Sequence, residues 1–490
     1  MTQSSPSLLM EDASYTPDPH RWRLLGLLIV VLFMSLIDVG IVNVAVPSIQ
    51  EGLGASDAEI QWVLAGYALT FGVGLVTSGR AGDIYGRGPL FIIGIIVFTA
   101  SSVACGLAQS ALLLNIGRAV QGVGSCLIAP QVVGMIQQHF RGTERGRAFG
   151  IFGAAAAASF VVGPLTGGYI IMVAGVETGW RWTFLINLPI GILATFLAWR
   201  WLPRPLWTPR DPDANAERSL DPVGALLLGF AVLCVMLPFV EGRGAALVWL
   251  SLPLGLGLFA VWVWWEKRRK RLGLQPMVDL AIFKVKSFSN GTLMISLFFA
   301  SNTGIWVLVA LYLQSGLGHT AFASGSVGIP GSILSSLAAL WGGKVVNTRG
   351  RAVVLGGMYL AALGIALSIL VVWLRSQGLA SEWFLWGSLG VLGIGQGFVV
   401  SPNQTLTLDE VPVRYAGSSG GIMQTGQRIG ATVGISILTA TAFASYHATN
   451  DWSQAFIAGL VVALIITLAA TAVAYIDQRQ RLQKPTPMTH

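Results

Sequence analysis

The sequence predicts an all-α polytopic membrane protein, on three observations: its composition, the length of its apolar runs, and the placement of its basic residues. Hydrophobic residues fill 54% of the 490 positions and charged residues only 11%, with a mean hydropathy of +0.68. A spanning helix needs roughly 20 mostly apolar residues, because about 30 Å of hydrocarbon is crossed at about 1.5 Å per residue and every backbone polar group must be bonded internally. About fourteen segments meet that requirement.

Taken in order, they alternate with basic loops on one side only. Helix 1, Leu24 to Ser48, follows Arg21 and Arg23. Helices 2 (Ile60 to Ser78) and 3 (Pro89 to Leu107) flank Arg80 and Arg87. Helices 4 (Leu112 to Gln131) and 5 (Ala148 to Met172) flank Arg141, Arg145 and Arg147. Helix 6, Trp182 to Leu202, leads into a linker with Arg204, Arg210 and Arg218. Helices 7 (Leu220 to Val240) and 8 (Leu247 to Trp265) end at the run Lys267 to Arg271. Helix 9 is Ser289 to Leu313, and helices 10 (Ala323 to Gly343) and 11 (Val353 to Leu374) flank Lys344, Arg349 and Arg351. Helices 12 (Trp383 to Val400) and 13 (Ser418 to Thr441) flank Arg414, and helix 14, Gln454 to Ile476, precedes Arg479, Arg481 and Lys484. Only Arg181, Arg243 and Arg375 fall on the other side. Lys and Arg collect in cytoplasmic loops, so both termini are expected in the cytoplasm of a cell, most simply a bacterial one. The net charge of +8 then orients the chain; it does not bind nucleic acid. The first twenty residues have no apolar signal region, so no cleaved leader is expected. Cys105, Cys126 and Cys234 are scattered in apolar helices and form neither a disulfide framework nor a metal site.

A repeat organises the chain. DVGIVNVAVPSIQEGLGAS from Asp38 aligns without gaps on NTGIWVLVALYLQSGLGHT from Asn302, a shift of 264 positions (302 less 38), and the same shift lays GRAGDIYGRG (Gly79 to Gly88) onto GKVVNTRGRA (Gly343 to Ala352). Helix 1 therefore corresponds to helix 9 and the junction after helix 2 to that after helix 10. The economical division is a six-helix bundle over residues 1–202, a linker and two inserted helices over 203–287, and a second six-helix bundle with a short tail over 288–490. Within the repeat both acids become amides: Asp38 faces Asn302 and Asp83 faces Asn347.

These segments resemble the major facilitator superfamily. GRAGDIYGRG resembles its signature between helices 2 and 3, LLLNIGRAVQGVG (Leu112 to Gly124) its helix 4 signature, and GPLTGG (Gly163 to Gly168) its antiporter signature on helix 5. LIDVGIVNVAVPSI, GWRWTFLINLPIG (Gly179 to Gly191) and Tyr312 to Gln314 are similar to the fourteen-helix drug:proton antiporters, the EmrB/QacA branch. The first signature departs at Ala81-Gly82 and Gly88-Pro89. The resemblance implies a proton-coupled multidrug exporter of amphipathic compounds working by alternating access, with a role in antibiotic resistance. It implies no cofactor beyond the coupling proton and a functional monomer in the lipid bilayer; any adaptor protein is left open. The alternatives are a dedicated exporter of an endogenous metabolite, lipid or siderophore, and a membrane sensor that does not transport.

Candidate residues follow. Gly79, Asp83, Gly86 and Arg87 are expected to gate: the glycines permit a tight turn, Asp83 faces a positive helix N-terminus in the other half, and Arg87 steadies it. The competing reading is that Arg80 and Arg87 only obey the positive-inside bias. Asp38 is the one acid deep in a helix, roughly 21 Å from the start of helix 1, and Arg118 reaches the same depth on helix 4. Burial disfavours a charged carboxylate and a nearby guanidinium favours it, so the pair suits proton coupling; a permanently ionised structural pair is the alternative. Gly163, Pro164, Gly167 and Gly168 suit a bend or seal in helix 5, or simple close packing. Asn302, Trp306, Asn403, Gln424, Gln427 and Arg428 are substrate-binding candidates in the second half, with interhelical hydrogen bonding as the competing role for each amide. Asp221 and Glu241, bounding helix 7, are secondary candidates. With only one deep acid, dications are expected to be poor substrates.

No enzyme is expected. Gly417 to Gly421 fits GxSxG but opens a membrane helix instead of ending a strand. None of His20, His139, His319, His447 and His490 sits in a spanning segment as an obvious base. Gly393 to Gly397 lacks the Lys-Ser/Thr of a phosphate loop, so an ion gradient, not ATP, is the expected energy source.

Overall fold

The computed structural model describes residues 18–207, 220–241 and 246–482. Fourteen of its helices are long and apolar enough to span a membrane: α1 Arg21–Leu53, α2 Glu59–Tyr85, α3 Arg87–Gly106, α4 Ala111–His139, α5 Gly142–Ala174, α6 Glu177–Trp201, α7 Pro222–Val240, α8 Leu247–Arg271, α9 Lys286–Gly316, α10 Ala323–Arg349, α11 Arg351–Ser376, α12 Glu382–Thr407, α13 Ala416–Thr449 and α14 Trp452–Gln480. The fourteen runs read from hydropathy are all present. Most helices extend past their apolar cores, because polar residues at the ends continue the backbone ladder into the interfacial layer. One consequence is a correction: Gly79 to Tyr85 is the last stretch of α2, not a loop. Only Gly86 breaks the ladder, at φ 111° and ψ 137°, a conformation that a side chain would strain.

Because the spans alternate, both described chain ends lie on one face, called the terminal face below. On the opposite face each of five helix starts finds its own cap. Ser56, Ser110, Thr320 and Ser381 accept from the amides of Glu59, Leu113, Ala323 and Trp383, and the Asp451 carboxylate accepts from Ser453. Such caps satisfy amides that the helix cannot bond itself.

Packing follows the sequence repeat. In the first six helices α1 packs on α5 and α6, α2 on α4, and α3 on α4 and α6. In the last six, the helices eight places later make the same pairs: α9 on α13 and α14, α10 on α12, and α11 on α12 and α14. The halves meet along α2 with α13 and its repeat mate α10 with α5. The inserted α7 and α8 pack on each other, and α7 leans on α2 and α13. Apolar side chains left exposed on the outer helices, among them Met172, Leu247 and Trp264, suit contact with lipid tails. The protein is a multi-pass membrane protein.

Helix pairs approach closely through small residues, since lipid offers no hydrophobic drive for association. At the α9–α13 crossing a methyl group on Gly434 would overlap the Ala300 carbonyl oxygen, a backbone atom that cannot swing away. Gly434→Ala should therefore cost about 1–3 kcal/mol and lower the thermal unfolding midpoint in detergent. Gly387→Ala on α12, where a methyl meets nothing within 4 Å, should leave it unchanged. Equal midpoints for the two variants would show that the α9–α13 crossing is looser than described.

Candidate functional site

The first six helices enclose a polar network at the depth the sequence assigns to Asp38. Asp38 and Arg118 are 0% and 1% exposed, and the Arg118 Nη1 lies 2.6 Å from the Asp38 Oδ2. The other carboxylate oxygen accepts from Gln121 Nε2 and Asn187 Nδ2, both at 3.0 Å. Arg118 also donates from Nε to the Val63 carbonyl at 3.1 Å and from Nη1 to Gln121 Oε1 at 2.7 Å, and its guanidinium carbon sits 4.3 Å from the Tyr67 ring centroid. Tyr67 shares a hydrogen bond with Ser125 at 2.7 Å, and Ser125 shares one with Ser35 at 2.9 Å. Asn187 donates to Ser102 Oγ at 3.0 Å. A buried ion pair is tolerated when its remaining valences are hydrogen-bonded, and here every carboxylate contact is a donor.

Gln121, Asn187, Tyr67 and Ser102 are absent from the sequence-based candidates. A signal for two of them existed: Gln121 lies one turn from Arg118 on the same face of α4, and Asn187 sits within the GWRWTFLINLPIG segment.

On the terminal face the predicted aspartate–helix contact is present. α13 begins after Tyr415, which provides no side-chain cap. Its first amides are met from the other half: Asp83 Oδ1 accepts from Gly417 N at 2.9 Å, and Oδ2 accepts from Ser418 N at 2.8 Å and Ser418 Oγ at 2.6 Å. Arg87 Nη2 lies 2.8 Å from Asp83 Oδ1 and donates to the Val413 carbonyl at 2.8 Å; Arg87 also donates to Gln138 at 2.6 Å. Gly79 and Gly417 touch backbone to backbone, and a Cβ on either would overlap the other's carbonyl. Gly79 therefore serves close approach, not a turn. Gln137 of α4 donates to the carbonyls of Leu408 and Val411 at 2.9 and 3.0 Å, and Arg145 pairs with Asp409, so the halves are tied together across this face.

The repeat reproduces the contact with its charge removed. Gly343, mate of Gly79, touches Gly146 of α5, and Asn347, mate of Asp83, donates to the Gly142 carbonyl at 3.1 Å. Arg351, mate of Arg87, turns inward instead: it pairs with Asp477 of α14 and donates to Asn403 Oδ1 at 2.7 Å.

Of the helix 5 set, Gly163 and Gly167 pack against α1, where added Cβ atoms would lie 2.9 Å from the Ile37 and 3.0 Å from the Ile41 carbonyl oxygens. Pro164 Cδ would lie 2.9 Å from a Cβ on Gly40. Gly168 meets nothing within 4 Å and does not belong to this seam.

The second-half candidates do not form one cluster. Asn403 is fully buried and spoken for: it accepts from Arg351 and Thr407 and donates to the Gly291 carbonyl at 3.1 Å. It is a correction to the substrate-binding set, holding α9, α11 and α12 together. Gln424 donates to the Ala129 carbonyl of α4 at 3.3 Å, which makes it an inter-half contact. Asn302 is 4% exposed with its Oδ1 lacking a hydrogen-bond partner. Trp306 lies against Gly328 and Gly331 of α10. Gln427 and Arg428 are half-buried, and Arg428 lies over the Phe71 ring with its guanidinium carbon 4.5 Å from the centroid. Of the secondary candidates, Asp221 is buried against Trp265 Nε1 at 3.0 Å and Arg269 at 3.3 Å, while the Glu241 side chain lies outside the described residues.

Comparison with known proteins agrees with this architecture. The probable actinorhodin transporter of Streptomyces coelicolor is 33% identical over 426 residues, 86% of this chain and 72% of that protein. The multidrug resistance protein Stp of Mycobacterium tuberculosis is 30% identical over 430 residues, covering 86% and 75%, and the tetracenomycin C resistance and export protein of Streptomyces glaucescens is 30% identical over 431 residues, covering 85% and 75%. Among solved structures, the human organic anion transporter MFSD10 superposes with a TM-score of 0.68 at 12% identity over 93% of this chain and all of its own, and the proton:xylose symporter XylE with 0.60 at 15% identity over 91% and 94%; these show the fold. The Major Facilitator Superfamily profile matches residues 28–435, and with the repeat, the helix pairing and the helix 2–3 junction in place, the chain belongs to that superfamily of transporters.

Proposed function

We propose that the protein exports amphipathic, drug-like molecules across the cell membrane in exchange for protons, working as a monomer by alternating access with both termini in the cytoplasm. The observation that carries this reading is the Asp38 carboxylate, wholly buried and held by Arg118, Gln121 and Asn187 from three directions. The relatives' names support the direction and the kind of cargo, since they describe export and drug resistance. A second reading, export of a single natural product, is favoured by the relatives named for one compound, such as the actinorhodin transporter.

The proposed cycle needs only side chains of this chain. A proton taken by Asp38 neutralises the carboxylate and frees Arg118 Nη1, while Arg118 keeps its bonds to the Val63 carbonyl and Gln121 Oε1. Each charge moved through 100 mV is worth about 2.3 kcal/mol, comparable with the contacts to be broken. On the terminal face, Asp83 and Arg87 act as the gate. Opening it strips the first amides of α13 of their cap, worth about 0.5–2 kcal/mol, enough to bias two states without freezing either. The glycines Gly79 and Gly417 allow the approach that makes the cap possible, and Gly163 and Gly167 keep α1, which carries Asp38, in register with α5.

Asp38→Asn should abolish transport driven by a pH gradient in proteoliposomes while substrate binding persists, because the amide imitates the protonated acid and cannot cycle. Intact gradient-driven flux in that variant would move proton coupling to another residue. Export of one compound alone from a panel of chemically distinct amphiphiles would favour the dedicated exporter.

Asp83→Asn leaves one acceptor where two are needed and places an NH2 against donors. The equilibrium between terminal-face-closed and terminal-face-open forms should shift toward open by about 2- to 30-fold. Spin labels at Tyr85 and Thr348, both exposed on that face, would read the distance distribution, and an unchanged distribution would rule out Asp83 as a gate.

A further inference from the structure

Arg428 is a cation without an anion. It lies about 18 Å along α13 from Ala416 at 1.5 Å per residue, too deep to be a positive-inside residue. Among the described residues it makes no ion pair, and no hydrogen bond from its guanidinium is present. Its face of α13 looks into the first half: Gly421 sits against Leu75 of α2, and Gln424, one turn before Arg428, bonds to α4.

Its surroundings form a stack. The guanidinium covers Phe71, Phe71 lies 6.0 Å from Tyr67 with their planes 23° apart, and the Arg118 guanidinium carbon lies 4.3 Å from the Tyr67 ring centroid. Two guanidinium groups thus flank two rings one turn apart on α2, and only Arg118 has its carboxylate. No acid exists in the sequences of α4, α9 or α13; Asp83 and Glu59 lie at the two ends of α2, and Asp38 is committed to Arg118. An unpaired cation at this depth is costly, and the ring face offsets only part of that cost. Among the described residues nothing supplies its counter-charge.

We propose that Arg428 is the subsite for an anionic oxygen, a carboxylate or ionised phenol, of the transported amphipathic molecule. The assignment rests on the exporter reading and narrows its substrates to amphipathic organic acids and zwitterions. It also sharpens the expectation about dications, since a fixed positive charge rejects every cationic group placed beside it. Exchange of one proton for such an anion moves two charges in the same electrical sense, so flux of an acid depends more steeply on membrane potential than flux of its neutral analogue.

The test uses pyrenebutyrate and its neutral amide, pyrenebutyramide, with the full chain in lipid nanodiscs for binding and in proteoliposomes for flux. The native protein should bind the acid about tenfold more tightly than the amide or better. Arg428→Gln should erase that preference with amide binding unchanged, and Arg428→Lys should keep part of it. Because Arg428→Gln loses only the Phe71 ring contact while removing an uncompensated cation, its thermal midpoint should not fall, which separates lost recognition from lost folding. Absence of an acid preference in the native protein, or its survival in Arg428→Gln, overturns the subsite. Proton-driven flux of the amide without preference for the acid sinks the subsite and leaves the exporter. Arg428-dependent binding of the acid with no proton-driven flux of either probe upholds the subsite and sinks the exporter.

Discussion

The closed terminal face depends on one constraint: α13 begins without a cap of its own. A helix leaves its first amides unbonded, and burying them without partners is expensive. Tyr415 cannot help, so the carboxylate of Asp83 reaches across from the other half and takes the Gly417 and Ser418 amides. The completeness of a helix in one bundle is thereby tied to the position of the other bundle. Glycine at 79 and 417 lets the two backbones touch, and Arg87, held by Asp83, the Val413 carbonyl and Gln138, covers the contact. When the halves part, water must take over those amides, which is possible only because they lie near the membrane surface and not at its centre.

The same helix that carries Arg118 reaches this closure. Along α4, Arg118 and Gln121 hold Asp38, Ser125 holds Tyr67, Gln131 donates to the Ser78 carbonyl at 2.9 Å, and Gln137 donates across the halves to Leu408 and Val411. One continuous helix therefore touches the deep carboxylate and the closed mouth. A change in the charge of Asp38 has a physical path to the gate that involves no loop. Whether energy flows along it is what the Asp38 and Asp83 variants compare, one by flux and the other by distance.

How much of this was legible in the sequence depended on the range of the interaction. The fourteen helices were, since each is fixed by its own composition, and so was the repeat, since a constant shift of 264 positions survives in the residues themselves. Asp38 and Arg118 could be paired because helix rise converts residue number into depth. Gln121 and Asn187 carried only indirect signals, the spacing of one from Arg118 and the place of the other within GWRWTFLINLPIG, because an amide in a membrane helix does not itself tell which neighbour it meets. For Asn403 the contacts match the competing role of interhelical hydrogen bonding: its three partners are Arg351, Thr407 and Gly291, and only Thr407 is near it in sequence. Gly79 was read as a turn residue because the charges around it obscured the end of α2, whereas its role is contact with a residue more than three hundred positions away.

The repeat also explains why charge is distributed unevenly between the halves. A buried ion pair must be fully bonded wherever it sits, so a pair that has to open during a cycle is best kept to one place. At the repeat-matched positions the first half keeps two acids, Asp38 in the core and Asp83 at the seam. The second half replaces both with amides and turns the mate of Arg87 inward, where Arg351 and Asp477 join α11 to α14 within a single bundle. That pair never crosses the dividing surface and has no reason to break. Arg428 is the charge the second half turns toward the first across Phe71, a cation with no acid beside it among the described residues.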